Sequence, residues 1–133
     1  MFYLKKILIM KKWCMFGSLL AVLSCAVAQP QVHPYVGEWI LESKSGGFEG
    51  KTILPDAEYV LKITADSIFS YKDYTLIDSQ TFIIKKGKCI HSTEPQDTLQ
   101  GLGMMRTSIA LKNDRLILAQ QCNDCFVSVY KRK

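Results

Sequence analysis

Cysteine and histidine are the residue types in this chain best suited to chemistry, with five of the first and two of the second. Cys122-Asn123-Asp124-Cys125 has the C-x-x-C spacing shared by thiol–disulfide oxidoreductases and by halves of zinc sites. A redox pair of this kind draws its thiolate character from a helix N-terminus, whereas residues 116–121 and 126–130 on either side read as strands. A zinc site would need two further ligands, and Cys89, His33 and His91 offer no paired spacing. The C-x-x-C is therefore expected to be structural, with Asn123-Asp124 as turn residues that set Cys122 and Cys125 across a hairpin. A disulfide between Cys122 and Cys125 and a bridge from Cys89 to one of them are both open on spacing alone.

Other catalytic arrangements are as thinly supplied. A nucleophile needs a base within reach. His33 lies in a proline-flanked connection, which leaves only His91, and no G-x-S-x-G elbow accompanies it. Ser45-Gly46-Gly47-Phe48-Glu49-Gly50 is glycine-rich but is followed by neither a helix nor Gly-Lys-Ser/Thr, so it is no phosphate loop. No catalytic residue, metal or cofactor is expected, and the chain does not read as an enzyme.

Two of the cysteines, Cys14 and Cys25, fall in a segment with the order of a secretion signal: Lys11-Lys12, an apolar run over 13–23, then Ala26-Val27-Ala28 at the cleavage position. Residues 1–28 are expected to be removed on export, with Met10-Lys11-Lys12 as the conventional opening and 1–9 as an extension of it. Val22-Leu23-Ser24-Cys25 also has the form of a lipobox, in which Cys25 carries lipid and becomes the N-terminus. Cleavage after Ala28 and lipidation of Cys25 stand as alternatives. Neither apolar part reaches the ~18–20 residues of a membrane-spanning helix, so membrane attachment is expected only through lipid on Cys25. The expected destination is the periplasm, the outer membrane as a tethered form, or the medium, and export permits disulfides.

Without the signal, the charge changes meaning. The whole chain carries +5, but from Gln29 onward 13 Lys plus Arg face 12 Asp plus Glu. That near-neutral remainder has no electrostatic footprint for nucleic acid. It is long enough for one domain, expected over 36–133 after a linker at 29–35.

Strand patterns separated by turn residues fill that domain. Trp39 and Leu41 alternate with Glu38 and Glu42; Leu61 pairs in period with Ile63, Phe69 with Tyr71, Ile109 with Leu111, and Leu116 with Leu118. These ten form the expected inward set. Asp66 and Asn113-Asp114 mark turns, while residues 94–103, with Pro95, Gly101 and Gly103, read as the longest irregular stretch. Eight or nine short strands in tight sequence predict an all-β, antiparallel up-and-down meander closing into a small, about eight-stranded barrel.

Gly37-Glu38-Trp39 near the start of the domain, the run of hairpins, and the closing Val129-Tyr130-Lys131-Arg132 resemble the lipocalin pattern. The likeness is to short lipocalin-like proteins exported by bacteria of the Bacteroidetes type. It implies that Trp39 plugs the closed end of the barrel and that Arg132 lies over its ring, with Lys131 and Arg115 as the other cations on offer. It also implies that the inward residues Trp39, Leu41, Leu61, Ile63, Phe69, Tyr71, Ile109, Leu111, Leu116 and Leu118 line a site for a small hydrophobic molecule. The other reading is a filled barrel acting as an envelope protein–protein module, an inhibitor or assembly factor, through the loops at 45–50 and 94–103.

Overall fold

The computed structural model describes residues 33–133. The expected secretion signal at 1–28, with Cys25 as the expected alternative site of lipidation, and most of the expected linker lie outside the described residues. Ten strands follow in chain order: β1 (Gly37–Gly46), β2 (Lys51–Ile53), β3 (Tyr59–Ile63), β4 (Ser67–Lys72), β5 (Thr75–Thr81), β6 (Ile83–Cys89), β7 (Ser92–Gln100), β8 (Thr107–Lys112), β9 (Arg115–Gln120) and β10 (Phe126–Arg132). They form one sheet in the order β5-β4-β3-β1-β10-β9-β8-β7-β6, with β2 also paired to β1. Every pairing is antiparallel. The expected all-β antiparallel meander is the fold.

Closure into an eight-stranded barrel is corrected. β5 and β6 stand at opposite ends of the order and do not pair, so the sheet is open. The reason is local: only Phe82 separates them, too little chain for a reversal. The backbone therefore runs on. Phe82 N–H donates to Asp66 O at 2.9 Å on the β4 side, and Ile83 then pairs with Gln100 of β7. Both flanks nevertheless meet in one core, where Leu61, Ile63 and Ile68 cluster with Leu99, Ile109 and Leu116 around Trp39. Each such burial is worth roughly 1.5–3 kcal/mol.

Two strands escaped the pattern. β2 is a three-residue pairing with the end of β1. β7 occupies most of the stretch expected to be irregular, and Pro95 fits because it sits at a bulge between the pairs Gly87↔Gln96 and Cys89↔Ser92, where no ladder bond needs its missing N–H. Tyr35, the last residue of the expected linker, is buried in the core.

Cross-strand partners share a face, which settles the inward set. Trp39↔Leu61↔Ser70 defines the inner row, while Val60↔Tyr71 and Lys62↔Phe69 fall on the outer face. Phe69 and Tyr71 thus point outward, and Ile68 and Ser70 take their places. The turn sets this parity: Thr64 N–H donates to Ser67 O, pairing Ile63 with Ile68. Leu111 keeps inner parity, opposite Leu116, but lies at the strand end and stays 40% exposed. Asn113-Asp114 turns as expected, with φ of 51° and 61°, and Asp73-Tyr74 does the same between β4 and β5.

Candidate functional site

One end of the inner face is packed shut. Trp39, Leu116 and Leu99 have no exposed surface. Trp39 Nε1–H donates to Tyr35 O at 2.9 Å, and the Arg132 guanidinium covers the ring. Residues 33–36 strap this end: His33 Nε2 meets Thr64 O at 3.0 Å on one flank, and Tyr35 OH donates to Asp97 Oδ2 on the other. Lys86 Nζ also reaches Asp97, at 2.9 Å. The Tyr35 phenol is pushed far up by burial first and by Asp97 second. Asp97 is held below its ordinary value by the Tyr35 hydrogen bond and then by Lys86.

The opposite end is hollow. A cavity of about 210 Å³ lies between flanks β3–β5 and β7–β10, and its polar lining includes Ser70, Asp78, Gln80, Thr107, Gln120 and Ser128. It adjoins a larger chamber of about 480 Å³, and the two share Lys44, Leu61, Ser70, Ser128 and Tyr130. The outer chamber exists because β1 parts from β3. Their last pair is Ile40↔Val60, after which β1 takes β2 as partner and 54–58 connects back. Its lip is apolar, with Leu41, Ile53, Leu54, Pro55 and Ile77. Burial raises the pKa of the Tyr130 phenol above its ordinary value, and a hydrogen bond with Ser128 works against that shift.

Lys44 enters this cavity through a register shift. Simple alternation from Trp39 and Leu41 puts Lys44 outside, beside Glu38 and Glu42. The pairs Leu41↔Tyr130 and Ser43↔Val129 leave Glu42 as an extra residue, after which Lys44 pairs with Ser128 on the inner face. Arg115 Nε holds the displaced Glu42 at 2.6 Å. Lys44 Nζ stands 4.4 Å from the Phe126 ring centroid and, among the described residues, enters no ion pair.

No family model, curated protein or solved structure matches this chain.

Of the expected lining, Trp39, Ile63, Ile109 and Leu116 are packed core rather than cavity wall. Leu61 and Leu118 line the inner chamber, and Leu41 the outer one. Tyr71 borders the outer chamber from the far face of the sheet. Phe69 and Leu111 line neither. The polar wall of Lys44, Ser70, Thr107, Gln120 and Ser128 was missed. Apolar periodicity is blind to it, although small residues at Ser70 and Ser128 in line with Leu61 and Tyr130 were a readable sign of space.

Cys122 and Cys125 form a disulfide with Cα atoms 5.2 Å apart, in a five-residue turn rather than a two-residue one. Cys89 is free and half-buried. Among the described residues, no cluster of three or more His, Cys, Asp or Glu could hold a metal ion.

Proposed function

We propose that this chain is an exported lipocalin-like binding protein that takes a small, largely hydrophobic molecule into the space between β1, β3 and β10. One observation carries the reading. Inward residues are large around Trp39 and small at Ser70, Ser128 and Thr107, which leaves two adjoining chambers of about 210 and 480 Å³. Ligand sites of known proteins span roughly 300–1,000 Å³ with mostly apolar walls. The apolar lip would receive the ligand, and the packed Trp39 end would act as its floor. The sequence supports residence in the envelope or outside, either freed after Ala28 or tethered at Cys25.

The test is fluorescence of the neutral apolar probe N-phenyl-1-naphthylamine with the protein. Binding is expected, and Ser128→Phe or Ser70→Phe, which fill the inner chamber, should weaken it tenfold or more. An absence of binding, or binding unchanged in both variants, would sink the reading.

A second reading has its own observation. The turn at 121–125 meets both neighbouring loops, with Gly46 against the Cys125 carbonyl and Cys125 Sγ 3.6 Å from Met105 Sδ. Phe48 (97% exposed) and Leu102 stand free on those loops. Exposed apolar side chains on two loops that adjoin one turn suit an envelope protein partner. Crosslinking in envelope extract should then yield an adduct that a Phe48→Ser, Leu102→Ser double variant loses.

A further inference from the structure

We infer that the ligand is an amphipathic monoanion, a carboxylate with an apolar tail, bound with its charged head inward on Lys44 and its tail at the lip between β1 and β3. The inference rests on the small-molecule reading above and specifies which ligand class that site takes. The polarity of the cavity runs opposite to a simple greasy pocket. Its inner chamber carries hydroxyl and amide groups from Ser70, Thr107, Gln80, Gln120 and Ser128, while Ile53, Leu54, Pro55 and Ile77 stand at the lip. Thr107 and Ser128 already bond within the chain, to Met105 O and to Tyr130, but a purely apolar guest would strip water from Ser70 and from the side-chain amides of Gln80 and Gln120 without replacing their hydrogen bonds, at a cost of about 1–3 kcal/mol for each left unmade. A head that accepts hydrogen bonds satisfies them.

The sign of the head follows from the charges. Lys44 belongs to both chambers, and the bulge at Glu42 is what turns it inward. The carboxylates on the same walls, Asp78 of the inner chamber and Asp56 of the outer, are exposed, so water screens them, whereas Lys44 is half-buried. The least hydrated charge of the site is therefore a cation, and among the described residues it has no carboxylate partner. An arriving carboxylate gains a charge-assisted bond there. Tyr130, its phenol kept protonated by burial, offers a neutral O–H beside it.

The experiment is competition against N-phenyl-1-naphthylamine by decanoate and by decan-1-ol, using the full chain and its Lys44→Gln and Lys44→Arg variants. Decanoate is expected to bind at least tenfold more tightly than decanol. Lys44→Gln should abolish that preference by weakening decanoate at least tenfold, and Lys44→Arg should keep it. Equal binding of acid and alcohol, or a preference that survives Lys44→Gln, overturns the anionic head. Competition by neither, with the probe still bound, also overturns it while leaving the cavity reading intact. Failure of the probe itself removes both.

Discussion

The guanidinium of Arg132 lies over the indole of Trp39, Cζ 4.3 Å from the ring centroid, and the two residues are direct partners across β10 and β1. Gly37 completes the arrangement. It has φ of +146°, and a Cβ there would come within 2.9 Å of Arg132 Nη1. Glycine thus clears the path of the cation, and tryptophan is the surface it covers. Arg132→Gln is expected to cost about 0.5–1 kcal/mol, the range for an exposed cation over an aromatic face. Gly37→Ala should cost more, because its φ favours glycine and a Cβ would also push the Arg132 guanidinium from its place over the indole. Urea titration of the three proteins gives the comparison, and a Gly37→Ala variant as stable as the parent would contradict the account.

The strap from His33 to Val36 ties the open flanks together through Tyr35 and Asp97, which makes its contribution depend on pH. Asp97 has its pKa lowered in the folded chain, below the ordinary 3.8. The unfolded chain therefore takes up that proton first as pH falls. The stabilisation is fully present above about pH 4 to 5 and is lost as pH drops through the folded value. Tyr35→Phe removes the leading cause of the shift, so it should cost about 1.5–3 kcal/mol at neutral pH. Its melting curve should converge on that of the parent toward pH 2. A deficit independent of pH would mean that packing of the phenol, not the hydrogen bond, is what counts.

Much of this was legible from the sequence, and what was not has local causes. Trp39, Leu61, Ile63, Ile109 and Leu116 are core because apolar residues two apart on half-buried strands can only face one way. Phe69 and Tyr71 do share a face, as their period predicts, but the turn at 64–67 fixes that face as the outer one and hands the inner face to Ile68. β7 was hidden by its polarity and by Pro95, since a proline at a bulge looks in sequence like one in a loop. The open seam depends on a single residue, Phe82, between β5 and β6, and no turn signal in the sequence marks it. Lys44 was the hardest of all. Its inward position follows from a one-residue bulge whose partner, β10, lies more than eighty residues away.

The disulfide closes a loop so short that its effect on the unfolded chain is limited. Chain-entropy reasoning gives about 2 kcal/mol for a ring of this size, as an upper bound when native geometry is unstrained. Replacing Cys122 and Cys125 by Ser together is expected to lower stability by about 1–2 kcal/mol without altering probe binding, since neither cysteine lines the chambers. Thiol counting on the denatured chain should show two additional groups after reduction. Loss of probe binding in the double Ser variant would instead tie the turn to the site.

The bulge at Glu42 allows a deletion to be judged in advance. Removing Glu42 leaves Leu41 opposite Tyr130, Ser43 opposite Val129 and Lys44 opposite Ser128, because Glu42 is the residue without a partner. The strand becomes regular and every remaining side chain keeps its face. The ion pair with Arg115 is lost, but both groups are partly exposed, so that loss is worth about 1 kcal/mol or less. Removing Ile40 is different in kind: Trp39 and everything before it slips by one residue against both β3 and β10, carrying the indole to the wrong face. Deletion of Glu42 is expected to give a folded protein with a modestly lower urea midpoint, and deletion of Ile40 an unfolded or aggregated one. Circular dichroism and urea titration decide it. Equal damage from the two deletions would show that Glu42 is part of the strand's register and not the extra residue that turns Lys44 inward.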